Sequence, residues 1–249
     1  MFSTSLTTID DAMGTEVRWI PRSFEWQNYV ETVEYIPFWT YTKNTIFSCT
    51  LASLGTTFSS ALVAHSFSRM EWPGKNVLFG VTLATMMMPF PVLMVPLYAV
   101  FRSLGWIGTL NPIWVPSFFG SAFNIFLLRQ FFSRIPKHLP EAMLIDGASE
   151  LGIFTRLYLL LSRAPLAVVA FFQFIYTWND FLAPLLFLTE QSSFTLSLGL
   201  QFYQSQMVGT QWHYLMAASF VTTLPLAVLF FFVQRSFLRG LGVLRHVDG

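Results

Sequence analysis

Hydrophobic residues run along this chain in long continuous stretches, and polar residues are confined to the intervals between them. A membrane-spanning helix needs about 20 mostly apolar residues, and the stretches reach that length without the alternation typical of a barrel strand. The pattern predicts an all-α, polytopic membrane protein with about five transmembrane helices. The second helix should be kinked, because it contains Pro89, Pro91 and Pro96. The helices are expected at about Asn44 to Ala64, Asn76 to Phe101, Trp106 to Leu128, Ala164 to Leu188 and Tyr214 to Val233.

The composition of the chain points to the same class of protein. Of 249 residues, 54% are hydrophobic, 18% are aromatic and 11% are charged, with a mean hydropathy of +0.54. Soluble domains carry about 25% charged residues. The net charge of +1 gives no reason to expect nucleic acid as a partner. A single cysteine, Cys49, excludes an internal disulfide, and the four histidines lack the spacing of metal ligands.

Lysine and arginine residues are unevenly distributed among the polar intervals. Interval 65–75 contains Arg69 and Lys75, interval 129–163 contains five basic residues, and interval 189–213 contains none. Because basic loops stay on the cytoplasmic side of a membrane, we expect intervals 65–75 and 129–163 and the C-terminus to lie in the cytoplasm. Residues 1–43 then form an external segment, followed by a transmembrane domain from 44 to 249.

An external location of residues 1–43 requires that this segment crosses the membrane. Residues 1–43 contain six acidic and three basic residues and no apolar signal segment. No feature of this segment would drive it across the membrane. We therefore expect a further transmembrane helix to precede it in the full-length protein; unaided translocation of an acidic tail is the alternative.

The interval 129–163 contains the signals of two short helices. Pro140 suits the first position of a helix, and Glu141 would then lie in the first turn, where the helix dipole favours an anion. Gly147 allows a turn, and Ser149 can cap a second helix. The physical pattern leaves two interpretations open: a docking element for a cytoplasmic partner, or an amphipathic helix that rests on lipid headgroups.

The residues of this interval resemble a known motif. Glu141-Ala142 and Asp146-Gly147-Ala148-Ser149, followed by Ile153-Phe154, resemble the EAA loop of permease subunits of bacterial ABC importers, in its carbohydrate (maltose and glycerol-phosphate) branch, although Met143 stands where the motif has a second alanine. Further matches follow in the same order along the chain. They are Thr85-Met86-Met87-Met88-Pro89, Trp178-Asn179-Asp180-Phe181-Leu182 and Arg235-Ser236-Phe237-Leu238-Arg239.

The resemblance implies a fold, a function and partners. The fold would be that of a type I ABC importer permease, with six transmembrane helices in the full-length protein. The chain would form half of a translocation pore for a sugar or sugar-like solute in the bacterial plasma membrane. Its loop at 141–151 would bind the ATPase through Glu141, Ala142, Asp146, Gly147, Ala148 and Ser149. The partners would be two copies of an ATP-binding subunit, a homologous second permease subunit, an extracytoplasmic solute-binding protein and membrane lipid.

Polar residues within the hydrophobic stretches are the candidates for a translocation path. They are Asn124, Gln173, Asn179 and Asp180. Polar groups at membrane depth are costly and often functional, but hydrogen bonding between helices is an equally simple role. An enzyme would need converging acid, base or nucleophilic groups, and a secondary transporter would need an ion-coupling site and internal repeats. Neither pattern is visible. The sequence also lacks the phosphate loop G-x-x-x-x-G-K-[ST], so we expect no ATP hydrolysis by this chain and no cofactor.

Overall fold

The computed structural model describes residues 1–13, 20–21, 23–205 and 209–243, without the side chains of 205, 209 and 235–243. The all-α prediction is confirmed, and one small antiparallel hairpin is added to it. The α-helices are α1 Phe2–Ser5, α2 Ile9–Ala12, α3 Gln27–Tyr35, α4 Phe38–Arg69, α5 Lys75–Ala84, α6 Phe90–Ser103, α7 Asn111–Trp114, α8 Ala122–Arg134, α9 His138–Ile145, α10 Glu150–Ile153, α11 Leu159–Leu161, α12 Arg163–Asn179, α13 Leu182–Phe187, α14 Leu196–Gly199 and α15 Trp212–Val243. Short 3-10 helices occupy Thr85–Met87, Val115–Phe119, Gln191–Ser193 and Leu200–Tyr203, a π-helix occupies Phe154–Tyr158, and the hairpin pairs β1 Gln204–Ser205 with β2 Gly209–Thr210.

The five hydrophobic stretches do not become five continuous helices. Within the described residues, α4 and α15 are long and apolar enough to cross a membrane. Two pairs of helices pass the same test only together and are bent, by 101° between 75–87 and 90–103 and by 80° between 150–161 and 163–179, which gives up to four spans. The predicted fourth helix, Ala164 to Leu188, is interrupted after Asn179, where α12 ends and before α13 begins. The stretch from Trp106 to Leu128 is divided among α7, a 3-10 helix and α8, and Gly120, at φ +83°, lies between the last two. This third prediction of one continuous helix is therefore not met, because hydropathy measures composition and not helix continuity.

The helix α4 forms the centre of the molecule and makes its most extensive contacts with α8 and α12. Small residues line its buried face, among them Cys49, Ala52, Ala61 and Ala64. Small side chains allow helices in a membrane to approach closely. At Gly55 the approach leaves no room at all, since an added Cβ would lie 2.3 Å from the ring of Phe118.

The polar intervals gather at the two ends of α4. At the Arg69 end, Arg69 donates to the carbonyls of Phe132 (Nε, 3.1 Å) and Ile135, which joins interval 65–75 to interval 129–163. At the Asn44 end, the Asn44 amide donates to the carbonyl of Ser192 at 2.9 Å, and the Gly108 N–H donates to the carbonyl of Phe187 at 2.8 Å. The intervals thus divide into the same two sets that the distribution of basic residues predicts. Which set faces the cytoplasm stays a prediction.

Candidate coupling site and translocation path

The helix α9 ends in a Schellman motif. The Gly147 N–H donates to the Leu144 carbonyl at 3.0 Å, and the Ala148 N–H donates to the Met143 carbonyl at 2.9 Å. This pair of bonds satisfies helix carbonyls only when the residue after the C-cap is left-handed, and Gly147 has φ +82°. The predicted turn at Gly147 is confirmed. The start of the helix differs from the prediction, because α9 begins at His138 and Pro140 is its third residue, while Glu141 still lies in the first turn.

A second short helix begins immediately after this turn. Ser149 is extended (φ −72°, ψ 158°), and its Oγ accepts from the Gly152 N–H at 3.2 Å. The predicted N-cap is therefore confirmed, since this geometry satisfies one of the free N–H groups of a helix start. The chain then continues from α10 through the π-helix Phe154–Tyr158 into α11. We call residues 138–161 the coupling segment.

The coupling segment has one buried side and one exposed side. Ile153, Phe154 and Tyr158 are almost fully buried in a cluster with residues of α4 and α8, and Met143 and Ala148 pack against that cluster. The other five candidate coupling residues are exposed: Glu141, Ala142, Asp146, Gly147 and Ser149. The structure therefore keeps the six motif residues in one segment but divides them between its two sides.

Large apolar side chains project from the exposed side. Ile145 is 86% exposed, Leu151 is 65% exposed, and Leu144 is also exposed. Large exposed apolar patches mark sites that contact another protein or a membrane. These three residues are not among the six coupling residues that the motif predicts. The sequence signal that could identify them is their position on either side of the predicted turn at Gly147.

Two cations fix the Arg69 end of the molecule beneath this segment. Arg69 donates to the carbonyl of Phe132 in the last turn of α8, which also accepts from the Ile135 N–H, and to the carbonyl of the C-cap residue Ile135. Arg129 donates from Nε to the Phe67 carbonyl at 3.2 Å and lies 4.1 Å from the centre of the Phe79 ring. Each such bond to a charged donor contributes about 1.5–3 kcal/mol, so the end of α8 and the end of α4 are held in one geometry.

The structure gathers only two of the four candidate path residues. Asn179 and Asp180 line one cavity of about 430 Å³ together with Phe90 and Tyr176. Within it, the Asp180 carboxylate accepts from the Ala183 N–H at 3.2 Å.

The other two candidate path residues do not line this cavity. Asn124 is buried on α8, and its amide oxygen has no hydrogen-bond partner among the described residues. Gln173 donates to Thr177 Oγ1 at 3.1 Å within α12, so this bond lies inside one helix and is not the bond between helices that the sequence left open.

A second cavity lies beside Asn179, between the end of α12 and the start of α15. Its volume is about 390 Å³. Its polar lining consists of uncharged groups: Asn179, Ser197, Gln201, Gln204, Ser219 and Thr222. Of these, only Asn179 was singled out from the sequence, because amides and hydroxyls in short polar intervals carry no distinctive pattern. Within the described part of the chain, no group of three or more His, Cys, Asp or Glu side chains could hold a metal ion.

Comparison with known proteins gives a family match over most of the chain. Residues 55–243 match the family described as binding-protein-dependent transport system inner membrane component. This range runs from the middle of α4 to the end of α15 and includes the whole coupling segment.

Individual relatives and a solved structure agree with this match. The chain is 34% identical over 207 residues to the arabinooligosaccharides transport system permease protein AraQ of Halalkalibacterium halodurans, covering 83% of this chain and 73% of that protein. It is 32% identical over 218 residues to the trehalose/maltose transport system permease protein MalG of Thermococcus litoralis, covering 86% and 78%. A crystal structure of a bacterial ABC transporter involved in the import of the acidic polysaccharide alginate contains a chain of the same fold, with a TM-score of 0.79, 22% identity and coverage of 94% and 87%.

Proposed function

Because this chain belongs to the family of binding-protein-dependent transport system inner membrane components, we propose that its coupling segment is the site at which a separate ATP-binding subunit docks. The chain is a permease subunit of an ABC importer in the inner membrane and not an enzyme. ATP hydrolysis belongs to a separate subunit of such an importer, and a binding protein delivers the solute. Membrane enzymes and secondary transporters, the alternatives left open by the sequence, are thereby set aside.

The observation that carries the docking proposal is the division of the coupling segment into two sides. Its buried side is fixed to α4 and α8, so a force applied from outside moves the segment together with the core. Its exposed side offers Leu144, Ile145 and Leu151 around the open turn at Gly147. A partner surface of complementary apolar character would bury these three side chains, at about 25 cal/mol for each Å² removed from water. Glu141 and Asp146 surround them with charge that would fix the orientation.

The rest of the proposed architecture rests on the distribution of basic residues and on the family resemblance. The Arg69 end faces the cytoplasm, the C-terminus lies on the same side, and residues 1–43 belong to the external side. Two ATP-binding subunits, each receiving one permease subunit, and a homologous second permease subunit complete the complex. Closure of the ATP-binding subunits then moves the coupling segments and opens the pore outward.

The solute is proposed to be a sugar or sugar-like molecule. The two named relatives carry arabino-oligosaccharide and trehalose or maltose in their names. The uncharged amides and hydroxyls around Asn179 support the same class, since such groups can pair with sugar hydroxyls without an unpaired charge. The two cavities that share Asn179, one with uncharged polar groups and one that includes Asp180, are the proposed part of the translocation path in this chain, with Gln173 on α12 and Asn124 on α8 in supporting positions.

The test of docking is copurification of the ATP-binding subunit with variants of the permease complex. Ile145→Glu places a charge at the centre of the proposed apolar contact, so we expect the ATP-binding subunit to be lost while the permease remains in the membrane. Leu104→Glu is the matched control, because Leu104 is an exposed leucine at the Asn44 end. Equal retention of the ATP-binding subunit by both variants would refute the docking site.

Uptake of radiolabelled arabinotriose, trehalose, maltose and glycerol 3-phosphate by vesicles of the intact importer separately identifies the solute.

A further inference from the structure

A histidine lies beneath the coupling segment without a polar partner. His65 is only 3% exposed, on the last turns of α4, and neither of its ring nitrogens has a hydrogen-bond partner among the described residues. Buried polar groups in folded proteins are nearly always paired, so an unpaired imidazole calls for an explanation. An apolar side chain would fill this site without that cost.

Three aromatic rings hold the imidazole in place. The ring centre of His65 lies 4.5 Å from that of Tyr158, 5.2 Å from that of Phe154 and 6.5 Å from that of Phe132. Phe154 and Tyr158 are the first and last residues of the π-helix, a rare conformation that is often found at functional sites. His65 is therefore enclosed by the coupling segment itself and has little freedom to turn toward another partner.

One carboxylate is within reach of this histidine. Glu150 begins α10, directly after the Ser149 cap, and its Oε2 lies 4.0 Å from His65 Nε2. A hydrogen bond between these atoms needs about 2.7–3.2 Å, so a displacement of roughly 1 Å would close the gap. The Glu150 side chain is 57% exposed and free to move. The neighbouring cation, Arg69, is already bonded to the carbonyls of Phe132 and Ile135.

We propose that His65 and Glu150 form a contact that opens and closes during transport and transmits the position of the coupling segment to α4. In the state described here the contact is open. When a docked ATP-binding subunit presses the coupling segment toward α4, Glu150 Oε2 accepts a hydrogen bond from His65 Nε2. The closed contact favours one arrangement of α4 against the coupling segment, which is how a local displacement can bias a two-state equilibrium. His65 is thus a positioning residue, and this role rests on the docking function proposed above.

The experiment measures ATP hydrolysis by the purified, reconstituted complex with MgATP, with and without its binding protein. Glu150→Ala removes the acceptor from an exposed position and should leave folding intact. We expect stimulation by the binding protein to fall at least about ten-fold, the lower limit for the loss of one hydrogen bond to a charged group. Glu150→Gln, which keeps an acceptor oxygen, should retain most of the stimulation. His65→Phe should lose as much stimulation as Glu150→Ala, and His65→Gln should lose less than His65→Phe. The double variant His65→Phe with Glu150→Ala should lose no more stimulation than either single variant.

Matched controls separate this contact from general damage. Glu71→Gln changes another exposed glutamate at the Arg69 end, which pairs with Lys75, and should leave stimulation unchanged. Full stimulation in Glu150→Ala, or losses that multiply in the double variant, would overturn the proposal. If His65→Phe fails to assemble, the pair Glu150→Ala and Glu150→Gln still decides the outcome. Absence of an ATP-binding subunit from the unsubstituted complex would instead refute the docking function, and this proposal with it.

Discussion

The two ends of α4 differ in how other segments of the chain pack around them. At the Asn44 end, distant segments close on one another through hydrogen bonds: the Tyr203 hydroxyl donates to the Thr32 carbonyl at 2.6 Å, and the Leu196 N–H donates to Thr45 Oγ1 at 2.8 Å. Burial raises the pKa of the Tyr203 phenol, which therefore stays protonated and keeps donating. At the Arg69 end, the coupling segment leaves Ile145 and Leu151 exposed and His65 unpaired.

The difference separates an end that long-range hydrogen bonds close within the chain from an end where one segment stands exposed. At the Asn44 end, hydrogen bonds within the chain join distant segments, although Tyr41 Oη, Ser48 Oγ and His213 Nδ1 have no hydrogen-bond partner among the described residues. At the Arg69 end, the coupling segment packs against α4 and α8 on one side and is exposed on the other. This arrangement suits a surface that another protein binds and moves. Changes in the tight packing between helices at the Asn44 end should act mainly on folding, and changes at the exposed side of the coupling segment should act on transport.

The first prediction tests whether the two ends lie on opposite sides of the membrane, and its outcome is all-or-none. In a Cys49→Ala background, a cysteine at position 149 (Ser149→Cys) should react with a membrane-impermeant maleimide only from the cytoplasmic side. A cysteine at position 192 (Ser192→Cys) should react only from outside. The reason is the excess of basic residues in intervals 65–75 and 129–163. The reversed labelling pattern would overturn the orientation and the docking function together.

The second prediction tests whether the turn at Gly147 serves docking or only folding. Gly147→Asp should abolish ATP-driven uptake while the protein still inserts, because it adds a charged side chain to the proposed contact surface. Gly74→Asp is the matched control: both glycines have positive φ, 82° and 83°, and neither has an atom within 4 Å of an added Cβ. The left-handed backbone costs both variants about 1–2 kcal/mol, so equal losses of uptake would mean that strain alone is responsible.

The third prediction concerns the packing at the Asn44 end and is the smallest in effect. An added Cβ at Gly199 would lie 2.4 Å from the ring of Tyr41, which is fully buried and cannot move aside. Gly199→Ala should therefore destabilise the protein by about 1–3 kcal/mol. Gly80→Ala, in a helix with nothing within 4 Å, should be neutral or slightly stabilising. Thermal unfolding in detergent measures both, and an unchanged midpoint for Gly199→Ala would contradict the tight packing at this end.

Sequence reasoning located the coupling turn because its signals are local. Gly147 and Ser149 each act on hydrogen bonds within three to five residues, so their roles can be inferred from neighbouring positions alone. The path residues were a harder case. Asn124, Gln173, Asn179 and Asp180 share polarity within apolar stretches, yet only Asn179 and Asp180 meet in a cavity. Which polar groups converge depends on how helices cross, and no residue pattern in one stretch records that. The motif at 235–239 lies where side chains are not described, and it stays a prediction.

The sequence by itself determined the helical class, the membrane setting and the two-helix turn of the coupling segment, because apolar runs and helix caps act over short distances. Tertiary structure decided that the kink predicted in the second stretch reaches 101°, that the chain bends by 80° just before the fourth stretch, and that the stretch after Trp106 is divided. It also decided that His65 would lie 4.0 Å from Glu150, although 84 residues of chain separate them. Such outcomes depend on packing between distant segments, where the shape of the neighbouring helix, and not local preference, sets the geometry.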